Sequence, residues 1–177
     1  MVRKFWRKSF RSSNRFAFTI TEMIIVVAIV GLIAGLTLAN YRAHERQLVL
    51  ESETQKIVSV LRQIQMMALS KPTVDSEPPQ GGYGFYWTAS SYLIFGDSNA
   101  NYQYDAETDK IIQTFNLPTS VSIQAAWQNL IFKPSKAEVY LNGAIFLQTA
   151  NLTLTHSQTG KTKNIQINGL TGMIGIQ

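Results

Sequence analysis

At 177 residues the chain has room for one modest folded domain beside a long apolar helix. Its 16 lysines and arginines outnumber 11 acids, yet six of those bases and none of the acids fall in residues 1–17, so the remainder sets ten bases against eleven acids. That balance excludes a basic nucleic-acid footprint on the folded body, and the absence of cysteine excludes a disulfide framework or a thiolate metal site.

Residues 1–17 read as a basic leader, carrying Arg3, Lys4, Arg7, Lys8, Arg11 and Arg15. Phe18 to Ala39 follows as an apolar run of 22 residues whose only charge is Glu22. A membrane-crossing helix needs roughly 20 apolar residues, so residues 18–39 are long enough to span. The basic leader predicts an amino terminus held in the cytoplasm, with everything after Ala39 outside it. A secretory signal places its small-residue cleavage site behind a short apolar centre. Here the small residue, Ala17, stands in front of a longer one. Cleavage there would discard the leader and keep the helix.

Thr19 followed three residues later by Glu22 has the form of a capping box, which closes the first turn of a helix. A carboxylate so near the start of the apolar run would lie close to the membrane face rather than at its costly centre. Gly31 and Gly35 form a small-xxx-small pair that permits close helix approach in lipid.

Beyond the membrane face, residues 40–71 continue as an amphipathic half of the same helix. No glycine or proline interrupts His44 to Ser70, and Val49, Ile57, Val60, Leu61, Ile64, Met67 and Ala68 recur at helical spacing as one buried face. Lys71-Pro72 ends it. Residues 72–82, rich in proline and glycine, form a linker.

From residue 83 the period changes to two. Strands are predicted at Tyr83–Trp87, Tyr92–Phe95, Lys110–Phe115, Val121–Ala125, Leu130–Lys133, Glu138–Leu141, Ala144–Leu147, Asn151–His156, Asn164–Asn168 and Met173–Ile176. Asn142-Gly143 marks a tight hairpin. The predicted architecture is α+β: a long amino-terminal helix packed on a meandering antiparallel sheet, residues 83–177, whose apolar face the helix covers. Sheet packing accounts for most of the aromatic residues Tyr83, Tyr86, Trp87, Tyr92, Tyr102 and Tyr104.

Between two strands, Asp97, Asn99, Asn101 and Asp105 place oxygen ligands at alternate positions, with Glu107 and Asp109 close behind. This opening is similar to a calcium loop, but Tyr102 takes the place of the glycine and Thr108 that of the closing glutamate. The other reading is a turn in which these side chains cap their own backbone. No cofactor is otherwise indicated. The two histidines, His44 and His156, lie in no ligand spacing and read as surface residues, and no catalytic motif occurs.

Behind the basic leader, Ala17-Phe18-Thr19-Ile20-Thr21-Glu22 resembles the type IV prepilin signal, found in type IV pilins and in the pseudopilins of type II secretion. The resemblance implies cleavage between Ala17 and Phe18 by a prepilin peptidase, methylation of the new amino group of Phe18, and pairing of Glu22 with that amine as helices pack into a filament. The family nearly always has glycine where this chain has Ala17, and many members carry a proline just before the tyrosine that corresponds to Tyr41. Further along, Phe95-Gly96-Asp97-Ser98-Asn99, Leu117-Pro118-Thr119-Ser120-Val121 and Phe132-Lys133-Pro134-Ser135-Lys136 are similar to segments of the H-type minor pseudopilins and their fimbrial relatives. Major pseudopilins of the same system use calcium.

The resemblance implies a structural subunit rather than an enzyme. It would sit first in the inner membrane and then in a pilus or pseudopilus. Its partners would be other subunits, the peptidase and an inner-membrane assembly platform. Two alternatives are a DNA-uptake pilin, which requires a basic or aromatic groove, and a signal-anchored extracytoplasmic protein of another activity, which requires a polar site in the sheet domain.

Overall fold

The computed structural model describes residues 19–134 and 138–177. Helix α1 runs Ile20–Ser70, and the chain divides into two units, one ending at Arg42 and one spanning Ala43–Gln177.

In the first unit the Thr19 hydroxyl accepts the Glu22 backbone N–H at 3.3 Å, and the Thr19 carbonyl accepts the Met23 N–H at 3.2 Å. The first satisfies a donor that a helix start otherwise leaves open, and the second is the first bond of the helix itself. Every residue from Ile20 to Leu38 is exposed, although the segment holds only one charge. Among the described residues this is the one helical segment long and apolar enough to cross a bilayer.

In the second unit the same helix becomes one-sided. Leu50, Ile57, Leu61, Ile64 and Ala68 are buried at three-and-four spacing, while Gln55, Lys56, Arg62 and Gln63 face outward. Thr54 is also buried on the inner face, and its hydroxyl donates to the Leu50 carbonyl at 2.7 Å. The helix ends where Lys71 adopts a left-handed backbone (φ 50°) and donates its N–H to the Met67 carbonyl at 2.8 Å. Pro72 then bars a further turn.

Among the described residues ten strands follow: β1 Gly82–Trp87, β2 Ser91–Asp97, β3 Lys110–Asn116, β4 Val121–Gln124, β5 Asn129–Phe132, β6 Val139–Leu141, β7 Ala144–Phe146, β8 Thr149–His156, β9 Thr162–Asn168 and β10 Ile174–Ile176. Each predicted strand is present. The single meander is not: there are two antiparallel sheets, one ordered β3-β2-β1-β5-β6-β7 and one ordered β10-β9-β8-β4. The division follows from β4, which pairs with β8 across Val121–His156 and Gln124–Thr153 instead of with β3 or β5. In the turn after β4, Trp127 is buried with its indole N–H on the Asn151 carbonyl at 3.2 Å. That anchor lets the chain cross from one sheet to the other.

Both sheets give their inner faces to one core. Tyr83, Phe85, Tyr92, Ile94 and Leu130 from the first sheet join Leu152, Leu154, Ile165 and Ile167 from the second around Ile57, Leu61 and Ile64 of α1. Each fully buried aliphatic or aromatic side chain contributes about 1.5–3 kcal/mol. His156 belongs to this interior. It is 2% exposed, which corrects the surface position expected for it. The reason is register: Ala150, Leu152, Leu154 and His156 alternate on the inward face of β8. His44 is exposed as expected.

Two side-chain bonds tie the segments flanking β9 to α1. Lys161 Nζ donates to Gln47 Oε1 at 2.8 Å near one end of the strand, and Gln65 Nε2 donates to the Gly172 carbonyl beyond the other.

Candidate functional site

Two regions carry the residues singled out by the sequence. The first is the start of α1. Ala17 and Phe18, the expected cleavage site, lie outside the described residues. Thr19 caps the helix, and Glu22 sits exposed in its first turn, where the positive end of the helix dipole favours a carboxylate. Gly31 and Gly35 have open space where a side chain would stand, with nothing within 4 Å. The helix therefore presents a bare backbone patch to whatever surrounds it, as close packing of helices in lipid requires.

The second region is the loop between β2 and β3. Asp97 is fully buried, and its two oxygens accept backbone N–H groups from Ala100 at 2.8 Å and Tyr102 at 2.9 Å. Asp109, 7% exposed, accepts those of Ser98 at 3.0 Å and Asp105 at 2.8 Å. Ala100 and Tyr102 both hold left-handed backbones, φ 57° and 59°. Those dihedrals are costly for residues with a Cβ. The Asp97 carboxylate holds them in place, so the sharp turn that a calcium loop makes with glycine is made here with tyrosine.

The amides complete the loop. Asn99 Oδ1 accepts the Asn101 N–H at 3.1 Å, and Asn101 Oδ1 accepts the Gln103 N–H at 2.8 Å. Their Nδ2 groups both donate to Asp105 Oδ2, at 3.0 and 2.6 Å. Asp97, Asn99, Asn101 and Asp105 thus come together, and their oxygens serve the loop's own N–H groups. Among the described residues no group of three or more histidine or acidic side chains is placed to hold a metal ion.

Burial pushes the Asp97 carboxyl above the usual carboxylate range, opposed by the amide bond from Tyr102 and reinforced by the nearby Asp109 charge. Asp109 is likewise raised by burial, against the pull of the Asp105 and Ser98 amides.

Compared with models of known families, with curated proteins and with solved structures, the chain matches none.

The loop does more than turn the chain. Tyr102 and Tyr104 fold back onto the outer face of the first sheet. Tyr104 lies 4.5 Å from Tyr86 and 5.0 Å from Phe95, and Tyr102 stacks on Tyr140 at 3.9 Å between ring centroids. Lys133 Nζ sits 5.5 and 5.7 Å from the Tyr102 and Tyr140 rings, at cation–π range. With Leu93, Phe95 and Ile131 these rings form a second apolar cluster. Tyr83 and Tyr92 go instead to the main core, where both are buried. Asp109 was visible in the sequence only as one more acid, and its role as a second organiser of the loop depends on burial.

Proposed function

We propose that this chain is a minor pilin or pseudopilin, a structural subunit inserted in the inner membrane and assembled through its amino-terminal helix. The observation that carries the proposal is the exposed apolar segment Ile20–Leu38, with Glu22 as its sole charge, on a helix whose later turns are buried in a folded domain. An apolar surface of that length is unstable in water and needs lipid or other apolar helices around it.

The basic leader, Ala17, and the Phe18-Thr19-x-x-Glu22 pattern support the same reading. In it, a prepilin peptidase cuts after Ala17 and methylates Phe18. Glu22 then pairs with the amine of Phe18, its own or a neighbour's, and fixes the axial register of packed helices. Such a pair offsets the cost of a carboxylate in an apolar surrounding. Gly31 and Gly35 allow the helices to approach, and the sheet domain faces outward. The machine is a type II secretion system or a type IV pilus, whose cytoplasmic ATPase extracts the subunit from the membrane.

Mass spectrometry of the purified full chain tests this, from a host with the peptidase and from one without it. The expected product begins at N-methylated Phe18 in the first host and at Met1 in the second. A product starting at Met1 in both, or beyond Ala39 in the first, overturns the proposal.

A further inference from the structure

The second sheet ends in a strand whose outer edge is open. β10 pairs with β9 on one side, and among the described residues no strand pairs with it on the other. The hydrogen bonds decide which groups are free. Asn164 and Gln177 exchange N–H···O bonds at 3.2 and 2.8 Å, and Asn168 donates to the Met173 carbonyl at 2.9 Å. In an antiparallel ladder, bonded and non-bonded pairs alternate. Met173, Gly175 and Gln177 therefore turn their main chain to β9, while Ile174 and Ile176, opposite Ile167 and Ile165, turn theirs outward.

That edge does not face open solvent alone. It borders a groove whose far wall is α1. One part, about 610 Å³, is lined by Met66, Ala68, Leu69, Phe132 and Met173, among others. A second part, about 320 Å³, lies between Val58, Ser59 and Ile176. Arg62 lines both. Met66, Leu69 and Met173 are 64, 68 and 72% exposed, an unusual concentration of open apolar side chains for one rim. The Gln65–Gly172 bond ties the turn before β10 to the helix and fixes the spacing of the two walls at that end.

Natural sheets protect their edges with charges, prolines or bulges. β3, at the edge of the other sheet, carries an irregularity in register against Ile94 and Phe95, and Lys110 at its start pairs with Asp75 at 3.3 Å. β10 carries no charge, proline or bulge and is guarded only by its shortness, three residues reading Ile174-Gly175-Ile176. Gly175 also has nothing within 4 Å of its Cβ position.

From this geometry we propose that the groove between β10 and α1 binds an extended segment of another protein by strand addition. The segment's main chain bonds to the free N–H and C=O groups of Ile174 and Ile176. Its side chains alternate, so every second one points at the helix. An aliphatic residue enters the space between Leu69, Phe132 and Met173, where flexible methionines adapt to its shape. Two positions along, an acidic residue meets Arg62, the one charged side chain among the described residues that lines either part of the groove. The partner is thus a strand-forming chain with the pattern aliphatic-x-acid. The inference does not rest on membrane anchoring or processing.

The test uses the full chain in detergent micelles and the synthetic peptide acetyl-Thr-Leu-Thr-Glu-Thr-Val-Thr-amide, read by amide hydrogen exchange. Ile174 and Ile176 should gain protection on peptide addition, while Gly175, already facing β9, should not. Replacing the peptide's glutamate by lysine should weaken binding about fivefold, as should Arg62→Glu, the upper end for one exposed ion pair. Combining the two changes should restore it. Proline in place of the threonine between leucine and glutamate should abolish protection, by removing a main-chain donor. The proposal fails if millimolar peptide leaves Ile174 and Ile176 unchanged, or if the lysine and proline peptides bind as well as the parent. It fails too if those amides are already protected without peptide in a concentration-dependent way, since a second copy of this chain would then be the occupant.

Discussion

Replacing Asp97 by asparagine keeps the shape of the side chain and removes one of its two acceptor oxygens. In the wild-type chain each oxygen serves one backbone N–H, Ala100 at 2.8 Å and Tyr102 at 2.9 Å. In Asp97→Asn one of those amides must face an NH₂ group. A buried N–H left without an acceptor costs about 1–3 kcal/mol. Removing a carboxylate that burial already disfavours returns part of that. Ala100 and Tyr102, both at positive φ, would then relax from dihedrals that cost about 1–2 kcal/mol each. With those two offsets against it, the net loss expected is about 1 kcal/mol, a factor of roughly 5 in the opening equilibrium. Hydrogen exchange on the full chain in detergent reads this locally: the Ala100 and Tyr102 amides should exchange about fivefold faster. Tyrosine fluorescence should report loosening of Tyr102 and Tyr104 from the outer sheet face. If both amides exchange at the wild-type rate and the rings stay in place, Asp97 does not organise the loop.

The same substitution at two points of one helix separates its halves. Leu61→Ala empties part of a core in which Leu61 is 0% exposed and should cost about 2–5 kcal/mol in denaturant unfolding of the sheet domain. Leu32→Ala, at a residue 68% exposed, should leave that transition within about 0.5 kcal/mol; equal shifts for both would contradict the burial pattern. Acidification gives a third check. Asp97 and Asp109 are raised above their ordinary 3.8, so the folded chain binds those protons more tightly than the unfolded one. Their contribution to stability is therefore largest below pH 3.8 and is lost as pH rises through the folded values. The amide bonds from Tyr102 and Ala100 oppose this shift at Asp97, but burial outweighs them. The stability gap between wild type and Asp97→Asn should thus widen as pH falls from 7 toward 4, and a gap that narrows would refute the sign.

Local chemistry made much of this protein legible before any coordinates. The apolar run at residues 18–39, the helix end at Lys71-Pro72 and the hairpin at Asn142-Gly143, with φ 47° and 84°, follow from neighbours in the chain. So do the ten strands, because alternation and turn residues are local signals. The loop at Asp97 was readable as a turn of side chains capping their own backbone for the same reason. Only the tertiary structure decided how the strands divide. Pairing β4 with β8 depends on contacts far apart along the chain, from Val121–His156 to Gln124–Thr153, and the sequence period is the same whichever partner a strand takes. The inward face of His156 was present in the alternation of β8 but needed the register to be fixed. Asp97 and Asp109 look alike to Asp105 in sequence; burial alone makes them hold the loop. The open edge of β10 beside α1 is the furthest from local signals, since it exists only where the last strand of one sheet and the middle of a distant helix are brought side by side.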